Sequence, residues 1–189
     1  QRKGGEPMGE REYRLGQRRV EAGQPGVIDA VQHSQRSRVG FDQSALDRVQ
    51  MLSLLRAHPD LDGDGAPDLD MDQLLYFGVS LGGLMGPPLM ALEPEIGAGV
   101  YSVGGGKLSA FATDTEVGAS RAPVIEALVG PPDEFARLLP VLQAAVDPSD
   151  PAVWGAHVLE DRFDDARAPD LLFPVAEFDH TVPPSSAKA

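Results

Sequence analysis

The chain contains no cysteine, which removes disulfides, cysteine-based zinc sites and thiol chemistry together and leaves the redox compartment open. No run of about 18 apolar residues occurs, so no membrane-spanning helix is expected, and no signal-peptide pattern is present. The first residue is Gln1, and the last five, Ser185-Ser186-Ala187-Lys188-Ala189, read as the opening of a helix. Both ends are therefore expected to be cut from a longer protein. Positive charge is scarce too: 16 Lys/Arg stand against 29 Asp/Glu, for a net charge of −13. Residues 1–38 hold eight of those cations and only five acids, a balance of +3, so the rest of the chain carries −16. An acidic body repels phosphate backbones, so no nucleic-acid partner is expected. The basic N-terminal stretch reads as a solvated arm.

What is present suits one domain or part of a larger one: 189 residues, 42% hydrophobic, with regularly spaced apolar runs. Residues 1–40 are poorly defined, and 1–25 read as loop. A helix is predicted from Phe41, where Phe41, Ala45, Leu46, Val49, Leu52 and Leu55 recur at helical spacing, until His58-Pro59 stops it. Leu74–Phe77 is short and apolar, as a buried strand is. After Gly78–Gly83 a helix is expected to about Leu92, with Pro87-Pro88 expected to distort or shorten it. Ala98–Val103 reads as a second buried strand, ended by Gly104-Gly105-Gly106. Residues 121–146 are predicted helical, with Phe135, Leu138, Leu139 and Leu142 on one stripe. Asp147–Pro151 is a turn-rich break. Leu171–Ala176 is a third apolar run, with Pro174 placing it near an edge or at a bulge. Strands alternating with helices predict an α/β fold with a mostly parallel sheet flanked by helices. The apolar stripe within about 107–150 suits ordinary core.

The strongest motif is Gly78-x-Ser80-x-Gly82-Gly83 between a predicted strand and a predicted helix. A serine that must protrude from a sharp strand-to-helix turn takes a strained backbone conformation. Glycines on either side let the neighbouring chain approach that turn. The next amide, that of Leu81, then points toward a developing oxyanion. A Gly-rich phosphate-binding turn is the competing reading, and it loses ground because no P-loop lysine follows.

Tyr76-Phe77-Gly78-Val79-Ser80-Leu81-Gly82-Gly83 resembles the nucleophile elbow of bacterial α/β-hydrolase lipases and esterases. The resemblance runs across about 41–189, and it implies that about 107–150 is a helical insert, a lid or acyl-binding wall where it is not ordinary core. It implies a partial α/β-hydrolase fold lacking N-terminal strands and a C-terminal strand. It also implies a serine ester hydrolase, acting on a small-molecule or lipid ester through an acyl-enzyme. The family's triad order is Ser, acid, His. Phe178-Asp179-His180-Thr181-Val182-Pro183 is similar to the family's acid-bearing loop, which makes Asp179 the candidate acid; a helix-capping Asp is the alternative. The catalytic histidine is expected beyond Ala189. His33 and His58 precede the serine, His157 precedes the acid, and His180 adjoins it. The fragment alone is thus expected to be inactive, and the second oxyanion donor is expected upstream of it.

Asp60-x-Asp62-x-Asp64-Gly65-x-x-Asp68 has the alternating carboxylates of a calcium loop, although Met71 stands where an EF-hand needs its bidentate Glu. Asp60, Asp62, Asp64, Asp68 and Asp70 are the candidate ligands of a structural calcium ion. An acidic solvated turn is the competing reading. An extracytoplasmic or secreted location is the expectation that goes with that loop and with the likeness to secreted lipases. A non-catalytic calcium-dependent binding module, or a thioesterase or peptidase on the same scaffold, would share these features.

Overall fold

The computed structural model describes residues 25–116, 131–163 and 165–188. Helix α1 (Pro25–Ala57) starts on a proline, which the first helical turn tolerates because the N–H that proline lacks would have no intrahelical acceptor there. It begins well before the predicted Phe41, since the apolar residues of 25–40 show no stripe that would announce it. It ends where expected, against His58-Pro59. Arg56, in its last turn, is held by Glu93 and Glu95 at 2.7 Å each, cation against helix C-terminus.

Strand β1 (Leu74–Val79) leads through Ser80 into α2 (Leu81–Leu92), and β2 (Ile96–Ser102) follows. A single-turn α3 (Ala110–Thr113) comes next, then α4 (Pro132–Val146), a 3-10 turn at Asp147–Ser149, and α5 (Pro151–Leu159). The first ten residues of the predicted 121–146 helix lie outside the described residues. Strand β3 (Asp170–Leu172) and a short α6 (Pro184–Ala187) complete the order. The architecture is mixed α/β: a parallel three-stranded sheet, order β1-β2-β3, flanked by helices. Among the described residues no helix is long and apolar enough to cross a membrane.

Helix α2 runs to Leu92 with Pro87 and Pro88 inside it, so the prolines do not shorten it. Each removes a helical hydrogen bond. The offset is burial: every residue from Gly83 to Ala91 is buried, and a helix apolar on all sides belongs in a core. It lies against β1, β2, α1 and α5. Leu89, Met90, Ala91, Ile96, Tyr101 and Val158 form the centre, with Val49, Leu52, Leu74, Tyr76, Trp154 and Leu171 around them. The edge-to-face rings of Tyr76 and Tyr101 (5.9 Å), and of Tyr101 and Phe173 (6.1 Å), line the helix side of the sheet.

The opposite face is bare among the described residues. Leu75 is 76% exposed and Phe77 72%, with Leu172 in the same row as Phe77 through Val100. Strand β3 is short and lies at an edge. Beyond it the Pro174 carbonyl still accepts the Val103 N–H at 2.9 Å, so Pro174 adds an acceptor to the sheet margin where no donor is needed.

Candidate active site

Ser80 joins β1 to α2 with φ 54° and ψ −114°, a backbone state that costs a non-glycine residue about 1–3 kcal/mol. Two ties hold it there. Its N–H donates to the Ser102 carbonyl at 2.9 Å, continuing the β1–β2 ladder one residue past the strand. The Tyr76 hydroxyl donates to the Gly82 carbonyl at 2.6 Å, pinning the first helical turn to β1. The serine side chain makes no capping hydrogen bond. The first helical bond is Leu84 N–H to Ser80 O, 3.1 Å. The Leu81 amide thus lies in the first helical turn, where N–H groups have no intrahelical acceptor.

The glycines divide their work differently from the motif's symmetry. A Cβ on Gly78 would run into the Gly82 carbonyl, and one on Gly83 would stand 2.7 Å from the Gly104 Cα. One on Gly82 meets only the Tyr76 hydroxyl, at 4.0 Å. The close approaches therefore fall on Gly78 and Gly83, and the expectation that Gly82 permits one is corrected.

The loop after β2 shares this edge of the sheet. Val103 (φ 45°) and Lys107 (φ 49°) both have positive φ, which is exceptional for a β-branched residue. Between them Gly104, Gly105 and Gly106 are buried against Gly83, Ser186 and Ala152 respectively. The carboxylate of Asp150, with no exposed surface, accepts the amides of Lys107 (2.7 Å) and Leu108 (2.6 Å). It also accepts Ala152 N–H at 2.9 Å and Gln143 Nε2 at 2.6 Å. The sequence marks Asp150 only as an N-cap, Asp before Pro at a helix start. Nothing local signals its hold on residues 107–108.

Asp179 follows β3 on the same edge. Its Oδ1 accepts both Thr181 N–H (2.7 Å) and Val182 N–H (2.9 Å), and among the described residues Oδ2 accepts none. The Val182 and Thr181 amides hold this carboxyl below its ordinary value. The N-cap of α6 is Pro183, so Asp179 orders the 179–182 turn rather than capping that helix.

Among the described side chains, those of His58, His157 and His180 make no hydrogen bond to Ser80 or Asp179. His180 faces Glu116 at 3.7 Å. His157 stacks on Phe163, centroids 4.4 Å apart, with Nδ1 2.8 Å from the Asp161 carbonyl. His58 is exposed beyond the end of α1, and His33 lies within α1.

In the aspartate loop, Asp60, Asp62 and Asp68 each bring a carboxylate oxygen within 4.8 Å of the others. Asp64 and Asp70, also expected as ligands, fall outside that group. Asp64 accepts Ala66 N–H, and Asp70 accepts Asp72 N–H and Gln73 Nε2. The three that converge already accept loop amides: Asp60 those of Gly63 and Gly65, Asp68 those of Leu61 and Asp62, and Asp62 that of Asp64. The loop is closed by its own hydrogen bonds. Three carboxylates meet part of calcium's demand for six or more oxygens.

Compared with protein-family models, curated proteins and solved structures, the chain matches none.

Proposed function

We propose that this chain carries the nucleophile and acid of an α/β-hydrolase-type serine ester hydrolase. The observation that carries the reading is the backbone of Ser80: positive φ, between a parallel strand and a buried helix, with Gly78 and Gly83 taking the close contacts. Strain of this kind concentrates where a side chain must be presented for chemistry.

In the proposed reaction the Ser80 hydroxyl adds to the ester carbonyl and its proton passes to a histidine base. The oxyanion is held by the Leu81 amide. The carbon–oxygen bond to the alcohol breaks, the alcohol leaves with that proton, and water then hydrolyses the acyl-enzyme. Asp179 supports the acid's role: Oδ1 is fixed by two amides, while Oδ2 is left for an imidazole N–H. The reading requires a histidine that reaches both Ser80 and Asp179, which His58, His157 and His180 do not do.

The test is fluorophosphonate labelling of the protein expressed from its intact gene, with the adduct located by peptide mass spectrometry. Labelling at Ser80, lost in Ser80→Ala, is expected; no labelling rejects the reading in favour of a binding module. The calcium expectation stands apart from this chemistry. A rise in melting temperature with calcium chloride, absent in a variant with Asp60, Asp62 and Asp68 all changed to Asn, is the measurement that bears on it.

A further inference from the structure

We infer that Asp150 is a positioning residue for Ser80, acting through the Gly104–Gly106 loop; the inference rests on the nucleophile reading above. A fully buried carboxylate is costly unless its oxygens are satisfied, and here four N–H groups satisfy them. Capping α5 needs only the Ala152 amide. The amides of Lys107 and Leu108 serve a different purpose: they fasten a distant loop that has strained residues at both ends, Val103 and Lys107.

That loop is the wall behind the elbow. Gly104 abuts Gly83 backbone to backbone, three residues after Ser80 in the first turn of α2. On its other side the loop is closed by Gly105 against Ser186 and by the Gly106 N–H donating to the Ser186 carbonyl at 2.9 Å. The chain of contact is therefore continuous: Asp150 carboxylate, Lys107 and Leu108 amides, Gly104, Gly83, and the helix turn that carries the Leu81 amide. Each link is backbone or a fully buried side chain, and dense packing transmits displacement rather than absorbing it. Releasing the clamp lets the strained loop relax away from Gly83, and the oxyanion amide moves relative to the serine hydroxyl. Asp150 touches no reacting atom in this scheme.

The experiment compares the intact-gene protein with its Asp150→Asn variant, which keeps the shape but turns one acceptor oxygen into a donor facing N–H groups. Fluorophosphonate inactivation is followed as a rate constant and an apparent affinity, and the Ser80 adduct is examined by phosphorus NMR. The variant is expected to react about a hundredfold more slowly at unchanged affinity, the loss typical of a misplacement of about 1 Å. The phosphorus resonance of its folded adduct is expected to shift, which mere destabilisation would not cause. Equal rates and an unshifted resonance, in a native protein that does label, overturn the role of Asp150 and leave the nucleophile reading intact. Absence of labelling in the native protein removes both. Should Asp150→Asn fail to fold, amide exchange at Lys107 and Leu108 in the native protein, before and after phosphonylation, decides the matter. Coupling is reciprocal, so protection at both amides is expected to change, and no change overturns the inference.

Discussion

Gly83 and Gly104 meet backbone to backbone: a Cβ on Gly83 would stand 2.7 Å from the Gly104 Cα and 3.0 Å from its nitrogen. Neither side of that contact is a flexible side chain that could swing away. Gly83→Ala is therefore expected to cost about 1–3 kcal/mol, the usual range for overpacking. Gly82→Ala meets only an ordinary contact with the Tyr76 hydroxyl and replaces a helical glycine, so it is expected to be neutral or to gain up to about 1 kcal/mol. Urea unfolding of the two variants side by side separates them; equal losses would contradict the asymmetry.

A second pair of variants isolates the backbone strain at Ser80. Ser80→Ala and Ser80→Gly both remove the hydroxyl, but only glycine accepts φ 54° without steric cost. The glycine variant is expected to be the more stable by about 1 kcal/mol, with neither variant labelled by fluorophosphonate. An alanine variant as stable as the glycine one would mean that the turn relaxes once the hydroxyl is gone.

Acid should loosen the 179–185 segment before the core. The Asp179 carboxyl is held down by the Val182 and Thr181 amides, and that of Asp114 by the Ser185 and Thr113 hydroxyls. A depressed carboxyl contributes stability above its unfolded value, near 3.8, and that contribution is lost as pH falls through the lower folded value. Both groups are largely solvated, so the effect is local and small. Amide exchange at Thr181 and Val182 is expected to speed up below about pH 4 relative to core amides. Asp179→Asn should flatten that dependence; an unchanged profile would assign it to other groups.

In the aspartate loop, Asp60 accepts the amides of Gly63 and Gly65, both at positive φ. Asp60→Ala leaves both donors to water and is expected to cost about 1 kcal/mol, as loss of a capping side chain does. Exchange of the Gly63 and Gly65 amides should accelerate while that of the Ser80 amide stays fixed. A parallel change at Ser80 would show the two regions to be one cooperative unit.

The α/β alternation, the three strands and the turn at Ser80 were legible because each rests on local pattern: apolar runs, Gly and Pro punctuation, and a motif whose glycines have steric reasons. Helix α1 before Phe41 was not, since its apolar residues form no stripe there. The unshortened α2 was not either, because Pro87 and Pro88 are tolerated through burial on all sides, a tertiary fact. Asp150 stood in plain view as part of a turn. Its grip on Lys107 and Leu108 spans a sequence distance over which no periodicity operates. The steric role expected of Gly82 failed for the same reason, because what gives that role to Gly83 instead is Gly104, reached only when β2 is in place.

The sheet is assembled from two crossovers of unequal reach. Strands β1 and β2 pair across α2 within residues 74–102, whereas β3 waits on the whole stretch from 103 to 169. Short loops close sooner and at lower entropic cost than long ones. The β1–α2–β2 unit is thus the expected folding nucleus, and destabilising changes in it should slow refolding, whereas changes around β3 should mainly hasten unfolding. The expected order has a consequence for the site itself: the serine would be bent into its strained turn before the segment bearing Asp179 arrives.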